Sequence, residues 1–110
     1  MSQWLTICKY DDLAPNSGIC AQFADQQVAI FLCKRNADLY AVSNFDPIAG
    51  ANVISRGMIG STQGHTYVAS PLYKQRFNLK TGECLDSPEH KLKTYLVRVE
   101  AEHVQLKMTG

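Results

Sequence analysis

The chain has 110 residues, of which 45% are hydrophobic and 19% charged, and its formal net charge is +1. A chain of this length can bury enough apolar surface to fold without disulfides or a structural metal, so we expect one domain over residues 1–110. The nearly balanced charge provides no electrostatic attraction to nucleic acid or to a charged membrane surface, and we expect neither partner. The N-terminus lacks the features of a signal peptide, and no apolar run is long enough to cross a bilayer. We therefore expect a cytoplasmic protein.

The first half of the chain predicts four β-strands, because it contains short segments that alternate in polarity or are rich in strand-forming residues. These segments are residues 4–10, 19–23, 28–33 and 39–42. Polar residues predict a hairpin turn over residues 24–27 and a second turn over residues 36–38. Within the first strand, alternation predicts one face formed by Trp4, Thr6, Cys8 and Tyr10, and an opposite face formed by Leu5 and Ile7.

The second half predicts strands at residues 65–69 and 76–79, followed by a turn at residues 80–82. A final hairpin turns near residues 101–102, because Tyr95, Val97 and Val99 alternate before this point and Val104 and Leu106 alternate after it. Gly57 and Gly60 are predicted to mark turns. No helical period persists over the length of a helix, so the sequence predicts an all-β fold, a small antiparallel sandwich or barrel.

The chain contains no recognisable catalytic motif. Its cysteines lie far apart without a C-x-x-C pair, and we expect reduced thiols that act as small apolar side chains at Cys8, Cys20, Cys33 and Cys84. The histidines belong to no motif, and the carboxylates are scattered, so neither a nucleophile nor an acid–base pair can be nominated. We therefore expect no catalytic residue.

Two loops interrupt the strand pattern, and each follows a predicted strand. The first, SNFDPIAGANVISRG, covers residues 43–57, and the second, SPLYKQRF, covers residues 70–77. The first contains the pattern N-x-x-P-x-x-G-A, and the second contains a proline and a phenylalanine and is followed by a Thr-Gly turn. In this respect the chain resembles the Rieske-type iron–sulfur domains, whose two cluster-binding loops often read N-x-C-P-H-x-G-A and C-P-x-H-x-x-x-F. The resemblance implies a Rieske-like β-sandwich or barrel.

All four positions that carry the cluster ligands in that family hold other residues here. Asp46 and Ser70 stand in place of the two cysteines, and Ile48 and Tyr73 stand in place of the two histidines. A Rieske cluster needs two thiolates and two imidazoles, whereas isoleucine has no donor atom and a serine hydroxyl is not ionised near neutral pH. We therefore expect no [2Fe-2S] cluster, no other metal and no cofactor on this chain.

We expect protein contacts to hold these loops. Asp46 is predicted to accept backbone N–H bonds in a turn, and Ile48 to fill the space of the cluster. Tyr73 is predicted to pack its ring there and to place its hydroxyl on a partner. A second role for the same loops is contact with another protein, since in cluster-bearing relatives they form an exposed tip. The predicted partner interface consists of Phe45, Pro47, Ile48, Pro71, Leu72, Tyr73 and Lys74.

Further segments make the resemblance more specific. The stretches QVAIF, AVSN and VASPL-x-KQRF are similar to segments of the small subunits of bacterial assimilatory NAD(P)H-dependent nitrite reductases. This implies a cytoplasmic enzyme that reduces nitrite to ammonium in nitrate assimilation, with FAD, an iron–sulfur cluster and siroheme on a large subunit that binds this chain. Two alternatives stay open: a stand-alone Rieske-type ferredoxin that carries electrons, and a small β-domain that binds metal or senses redox through its cysteines.

Overall fold

The computed structural model describes residues 3–108, so the predicted domain limits at residues 1 and 110 lie outside it. Its regular elements are β-strands and two one-turn 3-10 helices, Tyr10–Asp12 and Ile54–Arg56, which agrees with the predicted all-β fold. No helix within these residues has the length and hydropathy to span a membrane. The strands are β1 (Leu5–Lys9), β2 (Gly18–Phe23), β3 (Gln26–Leu32), β4 (Leu39–Ser43), β5 (Phe45–Asp46), β6 (Ala51–Asn52), β7 (Met58–Thr62), β8 (His65–Ala69), β9 (Arg76–Asn78), β10 (Thr94–Glu100) and β11 (His103–Met108).

The larger sheet contains six antiparallel strands in the order β1-β11-β10-β4-β3-β2. Its edge strands β1 and β2 contact each other, so the sheet curls into a nearly closed barrel. The rings of Phe23 and Tyr95 meet edge to face inside it, with centroids 5.6 Å apart. The first core is formed by Leu13, Phe23, Val28, Ile30, Leu32, Ala41, Tyr95, Val104 and Leu106.

A second core lies between the barrel and a smaller antiparallel sheet of three strands, β7-β8-β9. Strand β3 belongs to both cores, since Val28 and Ile30 pack in the first while Ala29 and Phe31 pack in the second. Because both faces of β3 are covered, its residues are apolar at successive positions and do not alternate. The second core is formed by Ala29, Phe31, Val42, Ile54, Val68, Phe77, Leu79, Cys84 and Leu92.

The first strand departs from its predicted alternation. The register of β1 against β11 shifts between Thr6 and Cys8, which marks a β-bulge. A bulge inserts one residue into the strand and changes the face of the residues that follow. Ile7 and Cys8 therefore both pack against the first core, and the prediction that placed them on opposite faces is wrong.

Gly60 was predicted to mark a turn, and this prediction is wrong. The residue lies in the middle of β7 and pairs with Tyr67 of β8. A Cβ atom at this position would lie 2.5 Å from the Tyr67 hydroxyl oxygen, so the tyrosine side chain occupies the space that a larger residue would need. Gly57 does mark a turn, because its N–H closes the short helix by donating to the Ile54 carbonyl at 2.9 Å.

The four cysteines are all free, and three of them occupy apolar surroundings as predicted. Cys33 and Cys84 are buried, and Cys8 is half-buried. Burial raises the pKa of the Cys8 thiol, and the nearby Asp12 carboxylate raises it further. Cys20 is exposed, so the prediction of a packed thiol is wrong there. Its neighbours in the edge strand β2 face the first core, which turns the Cys20 side chain outward.

Candidate functional site

The first loop is held at its base by Asn44, whose side chain is buried. Its amide nitrogen donates to the Gln27 side-chain oxygen at 3.1 Å, and its amide oxygen accepts the Ser55 backbone N–H at 2.7 Å. Asn44 therefore connects the start of the loop both to β3 and to the end of the loop. Between these points the chain forms the short strand pair β5–β6, which the sequence analysis did not predict.

Asp46 is fully buried at the turn of the first loop, and all of its hydrogen bonds run to loop atoms. Its Oδ1 accepts the backbone N–H groups of Ile48 at 2.8 Å and Ala49 at 3.1 Å, so the predicted role of this side chain in the turn is confirmed. Its backbone carbonyl accepts the Gly50 N–H at 2.8 Å. Gly50 has a φ of +70°, a left-handed conformation that glycine adopts without strain.

Ser70 is the corresponding fully buried residue of the second loop. Its carbonyl accepts the Lys74 N–H at 3.0 Å, and its own N–H donates to the Gln75 carbonyl at 2.9 Å. Its hydroxyl oxygen also accepts the Leu72 N–H at 3.4 Å. Lys74 completes this turn in a left-handed conformation with a φ of +66°. Ser70 thus closes the loop from Pro71 to Gln75 through its backbone and its side chain.

The two loops are joined by a hydrogen bond between Asp46 and Ser70. The serine hydroxyl donates to Oδ2 of the carboxylate at 2.5 Å, and neither side chain has any solvent-accessible surface. The positions that the Rieske resemblance gives to the two cysteines are therefore in direct contact here.

The two positions that correspond to histidines have different surroundings. Ile48 is half-buried and packs against the second core, and its predicted role of filling the space of the cluster stays a prediction. Tyr73 is 62% exposed, and the prediction that its ring fills the cluster space is wrong.

The outer surface of the loops is apolar. We call residues 45–48 and 71–74 the tip. Phe45, Leu72 and Tyr73 are exposed there by 46%, 53% and 62%, and Lys74 is exposed beside them. The remaining predicted interface residues, Pro47, Ile48 and Pro71, are half-buried.

Sequence reasoning missed Met58, which is 74% exposed. It pairs with Ala69, the residue before Ser70, so it lies beside the start of the second loop. Only the assignment of β7 as a strand reveals this position, because Met58 and Ser70 are far apart in the sequence.

The residues at the four ligand-equivalent positions do not fit a [2Fe-2S] cluster. Asp46 is committed to two backbone N–H groups and one hydroxyl, Ile48 has no donor atom, and Tyr73 faces solvent. Clusters of this kind take thiolate and imidazole ligands. Among residues 3–108, no group of three or more His, Cys, Asp or Glu side chains is arranged to hold a metal ion.

An ion pair supports the end of the second loop. The Arg76 guanidinium donates to Asp86 at 2.8 Å, and the Arg76 backbone N–H donates to the same carboxylate at 2.8 Å. Hydrogen bonds from Arg76 hold the pKa of Asp86 below its ordinary value. The guanidinium also lies 5.6 Å from the centroid of the Tyr67 ring. These contacts connect the strand that follows the tip to the segment before β10.

Two histidines make side-chain contacts within the strands and turns. Nδ1 of His65 lies 3.3 Å from the Asn78 amide nitrogen, across the small sheet. Nδ1 of His103 lies 2.9 Å from the Ala101 carbonyl in the last hairpin. Neither contact involves a residue of the tip.

The fold and the two loops define the class of this protein, a Rieske-like domain. The family model of the Rieske-like [2Fe-2S] domain matches residues 3–107, which is nearly the whole chain. The nitrite reductase (NADH) small subunit of Escherichia coli K12 is 47% identical over 97% of this chain and 99% of its own length. The chain therefore belongs to the family of nitrite reductase small subunits, within the Rieske-like class.

Two further comparisons concern a solved structure and a longer protein. The solution structure of the nitrite reductase [NAD(P)H] small subunit from Erwinia carotovora is 42% identical and superposes with a TM-score of 0.82, covering 100% of this chain and 85% of that one. The nitrite reductase [NAD(P)H] large subunit of Klebsiella oxytoca contains a stretch that is 38% identical over 88% of this chain. That stretch makes up 10% of the Klebsiella protein.

Proposed function

We propose that the chain is the small subunit of a cytoplasmic NAD(P)H-dependent nitrite reductase, which reduces nitrite to ammonium in nitrate assimilation. Its role is to bind the siroheme-containing large subunit. The observation that carries this proposal is the Klebsiella large subunit, which includes a stretch similar to this chain. In that protein the similar stretch is covalently linked to the rest of the large subunit, which keeps the two at a high effective concentration. Such a link is useful only if the two parts act together. We infer one domain over residues 1–110, with neither nucleic acid nor membrane as partner.

We propose that the chain carries no cluster and has no active site of its own. The support is the donor chemistry of Asp46, Ile48, Ser70 and Tyr73, which does not suit iron–sulfur ligation. FAD, the iron–sulfur cluster and siroheme then belong to the large subunit, and electrons do not pass through this chain. A stand-alone Rieske-type ferredoxin is disfavoured for the same reason, because its function requires the cluster.

We propose that the tip is the docking surface for the large subunit. Exposed apolar side chains that lie together and are bordered by charge are typical of protein interfaces, and aromatic residues contribute most to such contacts. Phe45, Leu72 and Tyr73 supply the apolar area, and Lys74 supplies the charge. Pro47, Ile48 and Pro71 belong to the same tip and are half-buried.

The docking surface can be tested by changing Leu72 and Tyr73 together to alanine and measuring co-purification with the large subunit. We expect association to fall by tenfold or more, because two exposed anchors are lost. Leu96 is a matched control, since it is 45% exposed but lies on β10 of the barrel. If the double variant and Leu96→Ala associate equally well with the large subunit, the tip is not the docking surface.

Two further measurements test the subunit role itself. Nitrite-dependent NADH oxidation by the large subunit is measured with and without this chain, and we expect the chain to increase the rate. The purified chain is also analysed for iron and for visible absorption. Stoichiometric iron together with a cluster spectrum would refute the cluster-free assignment and favour the ferredoxin alternative.

A further inference from the structure

We propose that Asp46 and Ser70 are positioning residues of the docking surface. Their hydrogen bond links the two loops, as the bonds of two cysteines to one iron link them in cluster-bearing Rieske domains. This inference rests on the proposed function, since it assumes that the tip docks on a partner. Neither residue is itself available for that contact, because both side chains are fully buried.

Asp46 and Ser70 are chemically complementary. Two cysteines without iron would offer only a weak S–H donor to a sulfur acceptor, and two carboxylates would repel each other. A serine hydroxyl facing a carboxyl group supplies one donor and one acceptor, and in the structure the Ser70 hydroxyl donates to Oδ2 of Asp46. The two substitutions therefore work as a pair, and each depends on the other.

Both oxygens of the Asp46 side chain have hydrogen-bond donors from the protein, without a metal. Oδ1 accepts the N–H groups of Ile48 and Ala49, and Oδ2 accepts the Ser70 hydroxyl. A buried carboxylate is tolerated only when such donors surround it, because isolated charge is costly in an apolar interior. If the hydroxyl is removed, Oδ2 loses its donor in a place that water does not reach.

The pair is connected through the backbone to the exposed side chains of the tip. Asp46 is flanked by Phe45 and Pro47, so its position determines where Phe45 projects. Ser70 closes the turn that carries Leu72 and Tyr73, through its bonds to the Lys74 and Gln75 backbone. The Asp46–Ser70 bond thus fixes the distance between the two halves of the docking surface. If it were broken, the halves would move independently, and binding would have to restore their order.

The test uses the full chain and the purified large subunit. We expect Ser70→Ala to weaken binding to the large subunit about tenfold, which corresponds to 1.4 kcal/mol. Amide hydrogen exchange of the free variant is expected to be at least about tenfold faster at Ile48, Ala49 and Leu72, since these N–H groups are bonded to the pair. Asp46→Asn is the conservative variant, because its amide can accept the same N–H bonds and donate to Ser70. We expect it to retain most of the binding.

A matched control separates positioning from general stability. Val104→Ala leaves a cavity in the first core, whereas Ile48 of the tip packs against the second core. We expect Val104→Ala to lower the stability of the chain while its affinity and the exchange of tip amides stay as in the wild type. Should Ser70→Ala fail to fold, Ser70→Cys takes its place, because a thiol has a similar shape but is a weak donor.

The possible results are distinguishable. If Ser70→Ala binds the large subunit as tightly as Val104→Ala does, the positioning role is refuted while the docking surface stands. If the wild-type chain does not bind the large subunit at all, the proposed function fails. In that case the amide exchange rates at the tip still show whether Asp46 and Ser70 order the loops. If these rates are the same in Ser70→Ala as in the wild type, the ordering role of the two residues is refuted as well.

Discussion

Asn44 is the residue whose loss should most clearly reveal what holds the first loop in place. Asn44→Ala removes the acceptor of the Ser55 N–H and the donor to Gln27, both from a side chain that is only 2% exposed. Gln27 is exposed and regains its hydrogen bond from water, whereas the Ser55 N–H is partly buried and stays unpaired. A buried donor without a partner costs about 1–3 kcal/mol. We therefore expect a loss of about 2 kcal/mol, or roughly thirtyfold in the unfolding equilibrium.

Urea unfolding measures this loss as a shift of the midpoint at constant slope. Asn52→Ala is the control, because Asn52 is an exposed asparagine of the same loop, and its replacement is expected to change stability by less than about 0.5 kcal/mol. Asn44→Asp keeps the oxygen that accepts the Ser55 N–H and is expected to lose less than Asn44→Ala. The reasoning would be refuted if Asn44→Ala resembled Asn52→Ala, or if the aspartate variant were no better than alanine.

Three other predictions concern separate parts of the chain. Gly82→Ala is expected to lower the free energy of unfolding in urea by about 2–4 kcal/mol more than Gly64→Ala. Both glycines have a positive φ, but of the two only Gly82 has a backbone carbonyl where the added Cβ would lie. Arg76 lowers the pKa of Asp86 in the folded protein. The ion pair therefore stabilises the fold at pH values above the ordinary pKa of 3.8, and this stabilisation is lost as the pH falls through the lower pKa of the folded state. Asp86→Asn should accordingly reduce stability at pH 7 and have little effect on stability once the pH is below the pKa of Asp86 in the folded protein. An equal loss of stability at both pH values would contradict this reasoning. With a thiol reagent, Cys20 should react first, and the two buried cysteines only on unfolding, which timed mass spectrometry can follow.

The strands were largely predictable because their signal is local. Residues 28–33 are apolar at every position, and the structure explains this by two cores on opposite faces of β3. The last hairpin was found because Val104 and Leu106 both face the first core, at positions two residues apart. Strand β7 was missed because Gly60 lies in its centre, and the reason for that glycine is the Tyr67 side chain of the neighbouring strand.

The candidate site was predictable in its location but not in its internal contacts. The proline and glycine frame identified both loops, and a carboxylate before Pro47 indicated that Asp46 would accept nearby N–H groups. The prediction for Tyr73 was wrong because the exposure of its ring depends on how the two loops meet. The loops meet through a hydrogen bond between residues 24 positions apart, about which the local sequence carries no information.

The sequence by itself determined the all-β class, the two loops and the absence of thiolate and imidazole ligands from the four expected positions. These properties depend on residue type and on spacing along the chain, which the sequence states directly. Only the tertiary structure decided that Asp46 and Ser70 bond to each other, that Ile48 turns inward and Tyr73 outward, and that Met58 lies beside the tip. The physical reason is that burial and hydrogen-bond pairing depend on which segments meet, and the meeting of the two loops is set by the sheets that carry them.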